Sequence, residues 1–121
     1  MPNINDFDRL YRRTKIGVGV TNGTVRLALN PIKPHTFRVL THVTVEDVDH
    51  DVDILRIGIH SVGRDHFLDE ILAVDAAELC VSRSDILLGE GDIFFAEFTG
   101  TTNGNQLKMT CIGWEQHLKG K

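Results

Sequence analysis

Glu46, Asp47, Asp49, Asp51 and Asp53 form the densest cluster of chemistry-bearing side chains in the sequence. Carboxylate oxygens converging from one tight loop are what a hard cation such as Ca²⁺ requires. The spacing does not fit a calcium loop: counted from Asp47, the sharply turning sixth position is Val52 instead of glycine, and the twelfth is Gly58 instead of glutamate. The run is expected to be a solvated, mutually repelling hairpin tip that discourages edge-to-edge association. No metal is expected. Of the six histidines, His42 and His60 share a face if residues 37–46 and 54–60 pair directly. That register sets His42 opposite Arg56 and His60 opposite Arg38, cations that repel a metal and lower an imidazole pKa. Surface or interface histidines are the expected reading.

Nucleophilic chemistry lacks a scaffold. Ser61, Ser82 and Ser84 sit in no Gly-x-Ser-x-Gly elbow, and Cys80 has no flanking motif. Gly89-Glu90-Gly91-Asp92 looks like a phosphate-cradling loop, but it lacks a third glycine and runs into alternating strand residues, and its acids oppose a phosphate. Cys80 and Cys111 are too few and too far apart for a disulfide framework or a zinc knuckle. Cys111 alternates with Leu107 and Met109 as a small core residue, and the role of Cys80 stays open. The expectation is a protein that is not an enzyme, with no catalytic residue, cofactor or metal.

Composition agrees. With 121 residues, 41% hydrophobic and 25% charged, the chain reads as one globular domain that buries roughly two thirds of its unfolded surface. A formal charge of −4 gives no electrostatic reason for nucleic acid. Met1–Thr14 has no apolar signal-peptide core, and no apolar run approaches the length of a membrane span. A cytoplasmic origin, no membrane and no nucleic-acid partner are expected.

The elements that position these residues are strands. Asn22-Gly23 and Asn103-Gly104 each lie between alternating apolar and polar runs, as a two-residue type I′ hairpin requires. Turning the chain at Asn22-Gly23 sets Val20 against Val25, Val18 against Leu27 and Ile16 against Leu29, with Gly17, Gly19, Arg26 and Ala28 on the other face. Turning it at Asn103-Gly104 sets Phe98 against Met109, Ala96 against Cys111 and Phe94 against Gly113. Phe37, Val39, Thr41, Val43 and Val45 alternate with polar neighbours along a long strand, and direct pairing with the next would join Val43 to Leu55, Thr41 to Ile57 and Val39 to Ile59. Residues 65–79 fit either a short helix or a strand and are taken as a crossover. Seven to nine short strands without helical alternation predict an all-β fold, an antiparallel jelly-roll-like β-sandwich. The expected division is an N-terminal arm or short helix over 1–15, the sandwich over 16–118 and a frayed tail over 119–121.

The outward face of the last hairpin, in that register, brings Phe95 opposite Ile112 and Ile93 opposite Trp114. Four large apolar groups exposed together mark a partner surface. Alternatively, the arm, through Phe7, Leu10 and Tyr11, or the 65–79 crossover covers them within one subunit. Both readings bury Trp114. Ile93, Phe95, Ile112 and Trp114 are the candidate interface anchors.

With the strands laid out, Pro34–Gly113 resembles a small β-sandwich module of bacteriophage structural proteins. The segments that carry the likeness are "PHTFRVLTHVTVED", "VDILRIGIHS", "ILLGEGDIFFAEFTG" and "LKMTCIGWE". The resemblance implies a virion component assembled in the host cytoplasm: a capsid decoration, head-fibre or tail-associated protein. Such a protein would be a homo-oligomer or clamped on the major capsid protein or another virion protein. These modules share no catalytic residues. The acidic "DVDHD" tip and the Asn22-Gly23 turn depart from that pattern. The alternative is a carbohydrate-binding module that stacks a sugar, such as a host-surface glycan, on exposed aromatics.

Overall fold

The structure is a computed structural model that describes residues 9–82 and 85–117. Among these residues nine strands form two antiparallel sheets: β1 (Arg9–Val18), β2 (Gly23–Ala28), β3 (Thr36–Asp47), β4 (Val52–Ser61), β5 (Arg64–Val74), β6 (Cys80–Ser82), β7 (Ile86–Leu88), β8 (Ile93–Thr101) and β9 (Gln106–His117). The front sheet has the order β1-β9-β3, with β6 and β7 both pairing with β3, and the back sheet has the order β2-β8-β4-β5. The chain therefore changes sheet at almost every connection, and only β4 and β5 are consecutive strands joined in one ladder. With β6 and β7 sharing one edge position, this is the eight-position, two-Greek-key order of a jelly roll.

Both Asn-Gly turns differ from expectation. They are tight turns, closed by Gly23 N–H to Val20 O (3.3 Å) and Asn105 N–H to Thr102 O (3.2 Å), but each has only its third residue at positive φ, Asn22 at 48° and Gly104 at 84°. A type I′ turn needs two such residues. Each turn instead arches the chain across the sandwich. β1 pairs with β9 and β2 with β8, so Val20, Val18 and Ile16 do not meet Val25, Leu27 and Leu29. Phe98 likewise lies beside Leu55 and Val25, and Met109 beside Lys15 and Val45. The two arches are bound to each other: Gly104 N–H donates to Gly19 O, Gly19 N–H to Asn105 O and Asn22 N–H to Thr101 O.

The inward residues nevertheless form one core, in which Phe94, Ala96 and Phe98 of the back sheet face Leu107, Met109 and Cys111 of the front. On β1 the faces are the reverse of the expected ones. Ile16 and Val18 are exposed, while Gly17 turns inward, where a Cβ would lie 2.4 Å from Leu27 Cδ2. On β3 a bulge between Leu40 and His42 switches the alternation. Leu40 and Val43 are buried in the core and Val39 turns outward, away from it.

Three further expectations are corrected. β3 and β4 lie in different sheets, so His42 pairs with Ile112, His60 with Ile93 and Asp65, and neither meets an arginine across a ladder. Residues 64–74 are the edge strand β5, and its exposure on both faces explains why no single periodicity marks it. From Arg9 the supposed arm is β1, so the boundary at 15/16 falls inside a strand. Phe7 and the tail 119–121 lie outside the described residues.

Candidate functional site

The four proposed anchors are divided by the sandwich. Ile93 and Phe95 lie on β8 in the back sheet, Ile112 and Trp114 on β9 in the front sheet, and the outer faces of the two sheets point in opposite directions. Phe95 is 0% exposed. The Arg26 guanidinium sits 3.8 Å from its ring centroid and Phe67 meets it edge-on at 5.7 Å. Gly58 leaves the room, since a Cβ there would come within 2.8 Å of Phe95 Cζ. The single exposed patch therefore does not form, because its premise was a Phe95–Ile112 pairing in one ladder.

Around Trp114 an apolar surface does form, from other partners. Leu10 and Val39 are its cross-strand neighbours, and Leu87 is the neighbour of Val39. The row Leu10–Trp114–Val39–Leu87 thus crosses four strands of the front sheet on its outer side. Phe37 packs edge-on against Trp114 at 5.7 Å, and Ile112 stands two residues along β9. Leu10 is 82% exposed, Leu87 66% and Ile112 40%. Ile16, Val18 and Val81 are also exposed and extend this face, interrupted by Thr14, Thr110, His42 and Lys108. Sequence reasoning missed Leu10 by assigning it to an arm and Val39 by counting it inward. The available signal for the second was Val39-Leu40, two adjacent large apolar residues that break strict alternation and mark a bulge.

The outer face of the back sheet carries a network of paired charges beside the exposed Phe67 and Leu72. Arg26 donates through Nη1 and Nη2 to Asp65 at 3.0 and 2.8 Å and through Nη2 to Glu97 at 2.6 Å. His60 Nδ1 lies 2.8 Å from Asp65 Oδ1, and Arg56 Nε donates to Glu70 at 2.6 Å. The Arg26 hydrogen bonds, followed by that from His60, hold the Asp65 carboxyl well below the usual carboxylate range.

The acidic run is not a free, self-repelling tip. Asp47 is fully buried, and its Oδ1 accepts from the N–H groups of Asp49 and His50 at 3.1 Å. Asp49 accepts from Gln106 N–H at 2.8 Å and Asp51 from Ala76 N–H at 2.9 Å. These carboxylates tie loops together through backbone donors. Among the described residues no group of three His, Cys, Asp or Glu side chains is placed to hold a metal ion. Burial pushes the Cys111 thiol up to about 12 and raises that of Cys80, where Glu78 and Asp69 add to the effect. A gap of about 20 Å³ beside Cys80, between the β5 and β6 edges, has room for little more than one water.

No protein-family model matches the chain, and no curated protein matches it. Among solved structures it superposes on part of a putative α-L-fucosidase from Bacteroides thetaiotaomicron with a TM-score of 0.51 at 7% identity, over 82% of this chain and 21% of that one. The chain thus spans only a fraction of that protein's length. Likenesses of lower score include a structure of infectious bursal disease virus, Gx strain (TM-score 0.46, 10% identity, 95% of this chain and 35% of that one). Another is a family 35 carbohydrate binding module from Clostridium thermocellum (TM-score 0.41, 12% identity, 88% and 98%). The first likeness is one of fold alone. The class defined by strands and topology is an all-β jelly-roll sandwich.

Proposed function

We propose that this jelly roll is a non-enzymatic structural component of a bacteriophage particle, a capsid decoration or head/tail accessory protein that self-associates and docks on the particle through its front sheet. The observation that supports this reading is the row Leu10–Trp114–Val39–Leu87 with Ile112 beside it. Leu10, Leu87 and Ile112 are exposed around a half-buried Trp114 and a buried Val39, and an apolar surface with an aromatic at its centre is the composition of a protein contact. Burying such a side chain contributes about 1.5–3 kcal/mol before association costs, and many copies on one particle multiply weak contacts into firm attachment. Ile112 and Trp114 keep their assignment as anchors, joined by Leu10 and Leu87. Ile93 and Phe95 do not take part, since Phe95 is already covered within the subunit.

Light scattering across a concentration series tests this reading. The wild-type chain is expected to form a discrete oligomer, and Trp114→Ala to remain folded by circular dichroism yet monomeric. A wild-type chain that stays monomeric at about 100 μM, a concentration that populates any contact stronger than about 5.5 kcal/mol, contradicts it. Neighbouring genes for portal, capsid or tail proteins would support the particle assignment. Binding of a neutral glycan by a monomer, lost in Trp114→Ala, would favour the carbohydrate-binding alternative instead.

A further inference from the structure

The inward face of β1 carries Tyr11, Arg13 and Lys15 where a sandwich strand ordinarily carries core residues. Their cross-strand neighbours on β9 are Gly113, Cys111 and Met109, all buried. A charged side chain on an inward face is costly unless water or a counter-charge meets it. Here the facing sheet withdraws. β2 ends at Ala28, Pro31 offers no ladder donor, and the chain leaves for the front sheet. That departing segment is held in place by Leu29 N–H to Phe94 O at 2.9 Å and Ile32 N–H to Asp92 O at 3.1 Å. Between it and β1 lies a cleft of about 430 Å³, inside the range of small-ligand sites.

The cleft is cationic in a chain of formal charge −4. Among the described residues five cations line it, Arg12, Arg13, Lys15, Lys33 and Arg38, against one carboxylate, Glu115. Arg38 is committed to Glu115, with Nε donating at 2.8 Å, and its guanidinium covers the Tyr11 ring at 3.8 Å. Among the described residues no ion pair engages Arg12, Arg13, Lys15 or Lys33. The contrast with the outer face of the back sheet is direct, because Arg26 and Arg56 there are both paired with carboxylates. Four like charges around one concavity repel one another and raise the local concentration of anions.

We infer that the cleft between β1 and residues 29–33 is a binding site for a small, multiply charged oxyanion, a phosphate or sulfate group, held by Arg13, Lys15 and Lys33 with Arg38 fixed at its floor. The same chemistry is offered by a free phosphate and by a sulfated sugar, and the choice between them is experimental. Amide resonances of the full chain are followed by NMR at low salt while inorganic phosphate, a sulfated disaccharide or its uncharged parent is added. Phosphate and the sulfated sugar are both expected to shift the resonances of Tyr11–Lys15 and Lys33 saturably. Equal affinities identify the charged group alone as the ligand, and tighter binding of the sugar identifies an acidic glycan.

Raising salt tenfold is expected to weaken binding severalfold. Lys33→Glu and Arg13→Glu, each at an exposed position, are expected to weaken it about tenfold or more with an unchanged melting temperature. Three results overturn the site: no saturable shift by either anion at about 10 mM, where a millimolar site would be largely filled; equal shifts by the uncharged sugar; or binding unaltered in the double charge-reversal variant.

Discussion

Asn105 Nδ2 donates to Asp47 Oδ2 at 3.1 Å, a buried hydrogen bond between residues 58 positions apart. Asp47 lies at the end of β3 and Asn105 closes the arch before β9, and Asp47 Oδ1 also caps the turn at Asp49 and His50. One carboxylate thus fixes the turn after β3 to the arch that leads into β9, the neighbour of β3 in the front sheet.

Removing it takes the acceptor from several donors at once. Asp47→Ala leaves the buried Asn105 amide without its acceptor, at about 1–3 kcal/mol, and also removes the acceptor of two backbone N–H groups at the exposed Asp49 and His50, which turn to water. Urea denaturation is expected to show a loss of about 2–3 kcal/mol for Asp47→Ala and a smaller loss for Asn105→Ala. The double variant should lose less than the sum, because the two side chains share one interaction.

Among the described residues the one two-residue β-hairpin is Val62-Gly63, between Ser61 and Arg64. Both residues have positive φ, 53° and 74°, the requirement of a type I′ turn. A β-branched residue is strained there, and Asn is the residue that tolerates it. Val62 is 97% exposed, so Val62→Asn removes no packing. It is expected to raise stability by about 1 kcal/mol, seen as a higher urea midpoint with an unchanged slope.

This hairpin shows what the sequence conceals. Asn22-Gly23 and Asn103-Gly104 carry the strongest local hairpin signal, yet they form arches, and the unremarkable Val62-Gly63 forms the hairpin. Alternation reports which face of a strand is dry. It does not report whether the apolar partner sits beside it in the ladder, about 5 Å away, or across the sandwich, about 10 Å away. Phe94, Ala96, Phe98, Met109 and Cys111 are thus legible as core while every pairing drawn between them is wrong. The same ambiguity produced the divided site: Trp114 and Ile112 do lie outward together, but Phe95 belongs to the opposite face. Asp47 was illegible for another reason, since its partners are mostly backbone N–H groups, which every residue but proline carries.

Thiol chemistry gives a pH signature. Burial holds the Cys111 proton in the folded chain up to about 12, against an ordinary value of 9.0. The folded state therefore binds a proton that the unfolded chain releases as pH rises from about 9 toward 12, so stability falls with pH across that window. The contribution of Cys111 is fully present below about pH 9. Cys111→Ala is expected to flatten the slope of melting temperature against pH above 9. Native protein at pH 8 should modify Cys111 with a soluble disulfide reagent only at the rate of unfolding.

The claim that matters most is that contact is carried by the outer face of the front sheet. Two substitutions at surface leucines of nearly equal exposure separate the faces: Leu87→Glu, on β7 beside Val39, and Leu72→Glu, on β5 of the back sheet, 66% and 64% exposed. The decisive measurement is the weight-average mass of both variants by light scattering at the concentration where the wild type is assembled. The structure predicts a monomer for Leu87→Glu and wild-type mass for Leu72→Glu. Wild-type mass for Leu87→Glu, or a monomer for Leu72→Glu alone, would contradict it.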